Sequence, residues 1–151
     1  MGNTRLQKRE TLTMNKNLWI AFLLLISGSV QAGEIVLDVP ALVGKSKADV
    51  SKILGGPISC GSSKYGEKCQ FKKAETEIVF IKGKADWVTV EGIDDKPFSD
   101  ATIQLLGFKA QKPSFSNSFS KRWEPLQGLI SVSLFKGSSS SDYAYIKAYT
   151  K

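Results

Sequence analysis

Two thiols, Cys60 and Cys69, are the only cysteines in this chain, and their spacing decides what chemistry they can do. The pair is not Cys-x-x-Cys, and no βαβ pattern surrounds it, so thioredoxin-type redox chemistry lacks its usual frame. In an oxidising compartment, two cysteines this close in sequence form a structural disulfide. Loop-closure entropy assigns so short a ring roughly 2.5–3 kcal/mol.

Other catalytic chemistry is thin. Histidine is absent, which removes the commonest general base and the commonest metal ligand. Ser118-Phe119-Ser120-Lys121 has the Ser-x-x-Lys spacing of serine acyl-enzymes. It sits in a serine-rich stretch with no helix signal and no companion Ser-Asp-Asn or Lys-Thr-Gly, which makes the match a coincidence. Asp94 and Asp95 are neighbours in a turn before Pro97, and adjacent side chains diverge rather than converge on a substrate. Glu91 with either aspartate imitates a glycosidase pair, but nothing fixes their separation. No glycine-rich loop joins a strand to a helix in phosphate-binding form. The residues imply no cofactor and no metal, and the expectation is a protein that binds rather than catalyses.

The side chains suited to binding are aromatic. Trp87, Tyr143, Tyr145 and Tyr149 stand in strand-like segments, and Phe115, Phe119 and Trp123 in a segment punctuated by serine and proline. Tyrosine and tryptophan provide large rigid contact area at low entropic cost. What matters is which elements hold them, and on which side.

Ala144, Ile146 and Ala148 alternate with Tyr143, Tyr145, Lys147 and Tyr149. Strand side chains alternate faces, so one face takes the aliphatic set and the other the tyrosines. Val88 and Val90 alternate in the same way with Trp87 and Thr89, and Ile130, Val132 and Leu134 with Ser131, Ser133 and Phe135. Further strands are expected over Ile35–Val39, Lys68–Lys72 and Glu77–Lys82. A helix is expected from Ser46, with Asp49 in capping-box position, Val50, Ile53 and Leu54 as its apolar stripe, and Gly55 and Pro57 ending it. A second short helix is expected over Pro97–Gly107. Leu54-Gly55 matches Leu106-Gly107, and Phe80-Ile81-Lys82-Gly83 matches Leu134-Phe135-Lys136-Gly137, at offsets of about 52–54 residues. The predicted fold is α+β: two tandem helix-plus-strands repeats, about 40–92 and 93–151, forming one antiparallel sheet with short helices packed on one face.

The first 32 residues read differently. Lys16 precedes an apolar run from Leu18 to Ile26, followed by small residues ending Val30-Gln31-Ala32. This is the pattern of a secretory signal cleaved after Ala32, with Met14 as the natural start. The run is shorter than the ~20 residues of a membrane span, and no lipid-attachment cysteine follows it. The expectation is one periplasmic or secreted domain, residues 33–151, without a membrane anchor. Its 17 basic and 13 acidic residues give a net +4. No lysine or arginine run forms a nucleic-acid stripe, so nucleic acid is not an expected partner.

Gly44-Lys45-Ser46-Lys47-Ala48-Asp49-Val50, then Leu54-Gly55-Gly56-Pro57, then Cys60 and Cys69, resembles the repeat unit of the beta-lactamase inhibitory protein family. It is also similar to the envelope lipoproteins of the BamE/SmpA type. The resemblance implies two repeats, a short disulfide loop after the first helix, and a target bound across an aromatic sheet face, here the face of Trp87, Tyr143 and Tyr145. The second half lacks the cysteines and the Gly-x-Ser/Thr opening, so no target follows from the likeness. The expected partner is an extracytoplasmic protein bound in the manner of an inhibitor. A cell-wall glycan, an envelope assembly role and a carboxylate-dependent hydrolase are the alternatives. Intact mass of protein recovered from periplasm or medium checks the export reading, with Gly33 expected as the first residue. Uncleaved chain in the cytosol would contradict it.

Overall fold

The structure is a computed structural model and describes residues 33–151. The expected signal over residues 1–32 lies outside the described residues.

Helix α1, Lys47–Leu54, forms where its caps dictate. The Ser46 side chain accepts from the Asp49 N–H at 3.2 Å, and Asp49 in turn pairs with Lys52 at 2.9 Å. The Lys52 hydrogen bond, then the Ser46 hydroxyl, hold the Asp49 carboxyl below its ordinary range. Gly55 closes the helix at φ 87°, a conformation that costs glycine nothing. Val50 and Leu54 are buried, whereas Ile53 of the expected stripe faces partly outward.

Four strands follow: β1 (Ser59–Ser62), β2 (Glu67–Phe71), β3 (Thr76–Ile81) and β4 (Lys84–Val90). A short helix α2, Thr102–Leu105, leads to β5 (Phe115–Ser116), β6 (Ser120–Trp123), β7 (Ser131–Lys136) and β8 (Ser141–Lys147). All eight strands join one sheet in the order β1-β2-β3-β4-β8-β7-β6-β5, every pair antiparallel. Two four-stranded meanders therefore meet along a β4–β8 seam. Lys82-Gly83 forms the hairpin turn into β4, whereas Lys136 ends β7 and Gly137 opens the turn into β8.

The α+β expectation of helix-plus-strands repeats is corrected: the fold is mainly β, one eight-stranded antiparallel sheet with two short helices. The second helix shrinks to four residues for local reasons. Ala101 at its N-cap offers no side-chain acceptor, and Leu106 leads directly into Gly107 at φ 83°. The Thr102 hydroxyl is spent on the Pro97 carbonyl. Meanwhile the serine-rich stretch forms β5 and β6, which enlarges the sheet. Ile35–Val39 is not a strand either. Val36 and Leu37 donate to the Leu105 carbonyl, Val39 to Leu106, and a 3₁₀ turn begins at Val39. Pro40 has no N–H to extend a ladder.

One face of the sheet is the core. Phe71, Ile78, Val88, Val90, Val132, Leu134, Ala144 and Ile146 are buried there, under Leu37, Leu42, Val50, Ile93, Ile103 and Leu106 from the covering segments. Cys60 and Cys69 are directly opposed on β1 and β2 and are bonded, S–S 2.03 Å. The bond fastens an edge strand whose four residues are all exposed. Such a strand buries no apolar face of its own, so the crosslink and the β2 ladder must hold it. A structural disulfide is compatible with an extracytoplasmic protein. Among the described residues no helix is long and apolar enough to cross a membrane.

Replacing both Cys60 and Cys69 by serine is expected to lower the thermal midpoint by several degrees, from the loop-closure value of about 2.5–3 kcal/mol. Ile146→Ala, a core truncation at the seam, is expected to cost about 2–5 kcal/mol in denaturant unfolding. An unchanged midpoint in the serine double variant would show that β1 holds without its crosslink.

Candidate binding face

The second face of the sheet carries most of the aromatic positions, and the strand register places them. Residues opposed across strands share a face. One row runs Phe115, Arg122, Ser133, Tyr145, Thr89, Glu77, Gln70 and Ser59, one residue from each strand. The next runs Ser131, Lys147, Trp87, Val79 and Lys68. Beyond the first row, Phe135 stacks on Tyr143 with ring centroids 4.6 Å apart.

Trp87 lies at the centre but is nearly covered, with 8% of its surface exposed. Tyr65, from the turn between β1 and β2, meets its ring edge-on at 4.4 Å between centroids. Lys147 lies over it at 5.4 Å and within 6.0 Å of the Tyr145 ring. The indole N–H donates to the Thr150 carbonyl at 2.8 Å. Trp87 is therefore the floor of the face, and Tyr65 and Lys147 are the side chains above it. Tyr65 reaches this place because Gly66 lets the turn lie against β3. A Cβ on Gly66 would collide with the Phe80 carbonyl.

A β-bulge anchors the arrangement. Val79 pairs with Trp87 and Phe80 with Ala85, which leaves Asp86 as the extra residue of β4. Its buried carboxylate accepts from Tyr149 N–H at 2.9 Å and Thr150 N–H at 3.1 Å on one oxygen, and from the Thr150 hydroxyl at 2.6 Å on the other. This clasp fixes the strand end that also caps the Trp87 indole. Tyr145 is half-buried nearby, and its phenol is pushed above the ordinary tyrosine range. Burial is the main cause, followed by Tyr65, Asp86 and Glu77. It is a neutral hydroxyl donor at physiological pH.

The remaining aromatic positions divide. Phe115 lies on the open face and is half-exposed. Phe119 sits at the β5–β6 turn, 74% exposed, beside the Asn117 side chain that accepts from the Phe119 and Ser120 amides. Tyr149 lies past the end of β8, with its ring against Gly44. Trp123 is fully buried in the core with its indole N–H on the Gln111 carbonyl at 2.8 Å, so it is withdrawn as a binding residue. It opposes Val132 in the ladder, and that register sends it to the core side. Sequence reasoning missed Tyr65 and Arg122 as members of the face. Its alternations placed Phe135 and Lys147 there without naming them as binding residues, whereas only the hairpin geometry brings Tyr65 over Trp87.

An open cleft of about 420 Å³ lies between Arg122, Ser133, Phe135, Tyr145 and Lys147. Lys121 of the Ser-x-x-Lys match is occupied elsewhere, 2.8 Å from Asp100, with its ammonium over the Phe98 ring. Cys60, Glu67 and Cys69 are close enough to suggest a metal site, but both sulfurs are in the disulfide and Glu67 pairs with Lys47 at 2.7 Å. No protein-family model, curated protein or solved structure matches this chain.

Burial changes what Trp87→Ala should do. It is expected to cost about 3–5 kcal/mol of stability, as for a core tryptophan, rather than act on binding alone. Asp86→Ala is expected to destabilise by about 2–4 kcal/mol, because it strips a buried pair of main-chain donors of a charged acceptor. Urea unfolding of both variants checks this. Wild-type midpoints would contradict the clasp.

Proposed function

We propose that this chain is an exported, non-enzymatic binding protein that takes another extracytoplasmic protein onto the open sheet face, in the manner of an inhibitor. The observation that carries the reading is the aromatic surface of Tyr65 and Phe115, half-exposed, with Phe135, Tyr143 and Tyr145, partly exposed, seated on a covered tryptophan and braced by Lys147. Rigid aromatic rings, tyrosine above all, are the residues enriched at interface cores and hot spots. The lack of histidine and the engagement of Lys121 with Asp100 support binding over catalysis. Protein is favoured over glycan because Trp87, the best stacking platform, is already covered by Tyr65 and Lys147. The sequence pattern of a signal cleaved after Ala32, together with the disulfide, supports a periplasmic or secreted location. The resemblance to the beta-lactamase inhibitory protein and BamE-type families agrees with this reading and names no target.

Capture from an envelope or culture-supernatant extract, with residues 33–151 as bait, tests it. Tyr145→Ala is expected to weaken the captured partner by about 2 kcal/mol, roughly thirtyfold in Kd, with stability largely kept. Retention of the same partner at unchanged affinity, or capture of glycan alone, would overturn the reading.

A further inference from the structure

The open cleft is charged as well as aromatic. Arg122, opposite Ser133, and Lys147, opposite Ser131, bring two cations to its walls from β6 and β8, and Lys151 past the end of β8 adds a third. Lys147 makes no ion pair among the described residues, and its ammonium rests over the Trp87 and Tyr145 rings. Arg122 reaches a carboxylate only at 3.8 Å, from Glu124, which is the one acidic side chain lining the cleft. By contrast, Lys68 on the same face is neutralised by Glu77 at 3.0 Å. The neutral Tyr145 hydroxyl and the serines of β7 add hydrogen-bonding groups between Arg122 and Lys147.

We infer that the partner presents an acidic segment, with a glutamate or aspartate side chain entering the cleft between Lys147 and Arg122. This rests on the binding role proposed for the face and specifies its chemistry. Lys147 is held in place by the rings beneath it, so little side-chain freedom remains to be lost when a carboxylate arrives. A carboxylate there accepts from the ammonium, the guanidinium and neighbouring hydroxyls at once, and such charge-assisted bonds are the strong ones. The aromatic rim of Phe135, Tyr143 and Phe115 then contacts the apolar residues flanking the acidic one. A basic segment would meet like charges at Arg122, Lys147 and Lys151, which gives the face a means of refusing wrong partners.

The test uses residues 33–151 labelled with ¹⁵N and titrated with a blocked hexaglutamate peptide, with blocked hexaglutamine and a heparin hexasaccharide as the other arms. The expected result is saturable amide shifts clustered at Ser133, Tyr145, Lys147 and Arg122, weakening as salt screens the pair. Lys147→Met, which keeps the aliphatic stem over the rings, is expected to lose about tenfold in hexaglutamate affinity. Lys52→Glu on α1 is expected to leave it unchanged. The inference is overturned by shifts spread evenly over the lysines of α1 and the sheet, by hexaglutamine binding equally well, by binding of heparin alone, or by wild-type affinity in Lys147→Met. If hexaglutamate gives no shift while Tyr145→Ala still loses the captured partner, the acidic specificity fails and the binding face stands.

Discussion

The pairing of β4 with β8 is the constraint on which the rest depends. Val90 opposes Ala144, Val88 opposes Ile146, Thr89 opposes Tyr145 and Trp87 opposes Lys147. The first two pairs sit in the core and the last two on the open face, so one ladder sets both surfaces. A slip of one residue would send Ile146 to solvent and Tyr145 into the core. That cost fixes the register. Because β4 closes one meander and β8 the other, this pairing is also what makes eight strands a single sheet. Asp86 adds a lock at the end of the seam, since its carboxylate holds Tyr149 and Thr150 and its carbonyl accepts from Ala148.

The two faces then do different work. On the core side, aliphatic residues from both meanders pack beneath the segments of α1, α2 and the chain before them. That burial supplies stability in proportion to apolar area. On the open side, the aromatic groups are half-covered by one another, with Trp87 under Tyr65 and Lys147, and Phe135 against Tyr143. Such mutual support holds the outer rings in one conformation while Trp87 beneath them is buried, a preorganisation that reduces the entropy lost on binding. The disulfide contributes at a distance, by fastening the β1–β2 hairpin whose turn carries Tyr65.

Much of this was legible in the sequence where a residue's neighbours along the chain determine its state. The Ser46–Asp49 cap and Gly55 delimit α1, and the alternation in β4, β7 and β8 separates core from open face. The strands that escaped are β1, β5 and β6. β1 is four polar or small residues, all exposed, and β5 is only two residues long. Their hydrogen bonds come from neighbouring strands, not from a periodic pattern of their own, and so the sheet outgrew the α+β expectation. Alternation also tells which face a ring occupies but not what lies over it. Trp87 sits on the expected side yet is buried, because Tyr65 and the clasped strand end arrive from 22 residues before it and 63 after. Trp123 shows the complementary limit: its face follows from its register with β7, which its serine-rich surroundings did not reveal.

The central claim is that the open face, and not the helix-covered side, receives the partner. Hydroxyl-radical footprinting of side chains with and without the captured partner measures this directly, since it reports each face separately along one strand. The account predicts protection at Phe115, Phe135, Tyr143 and Tyr145, with Ile53 on α1 and Tyr149 unchanged. Protection of Ile53 and Tyr149, with the four sheet-face rings oxidised as in the free protein, would contradict it.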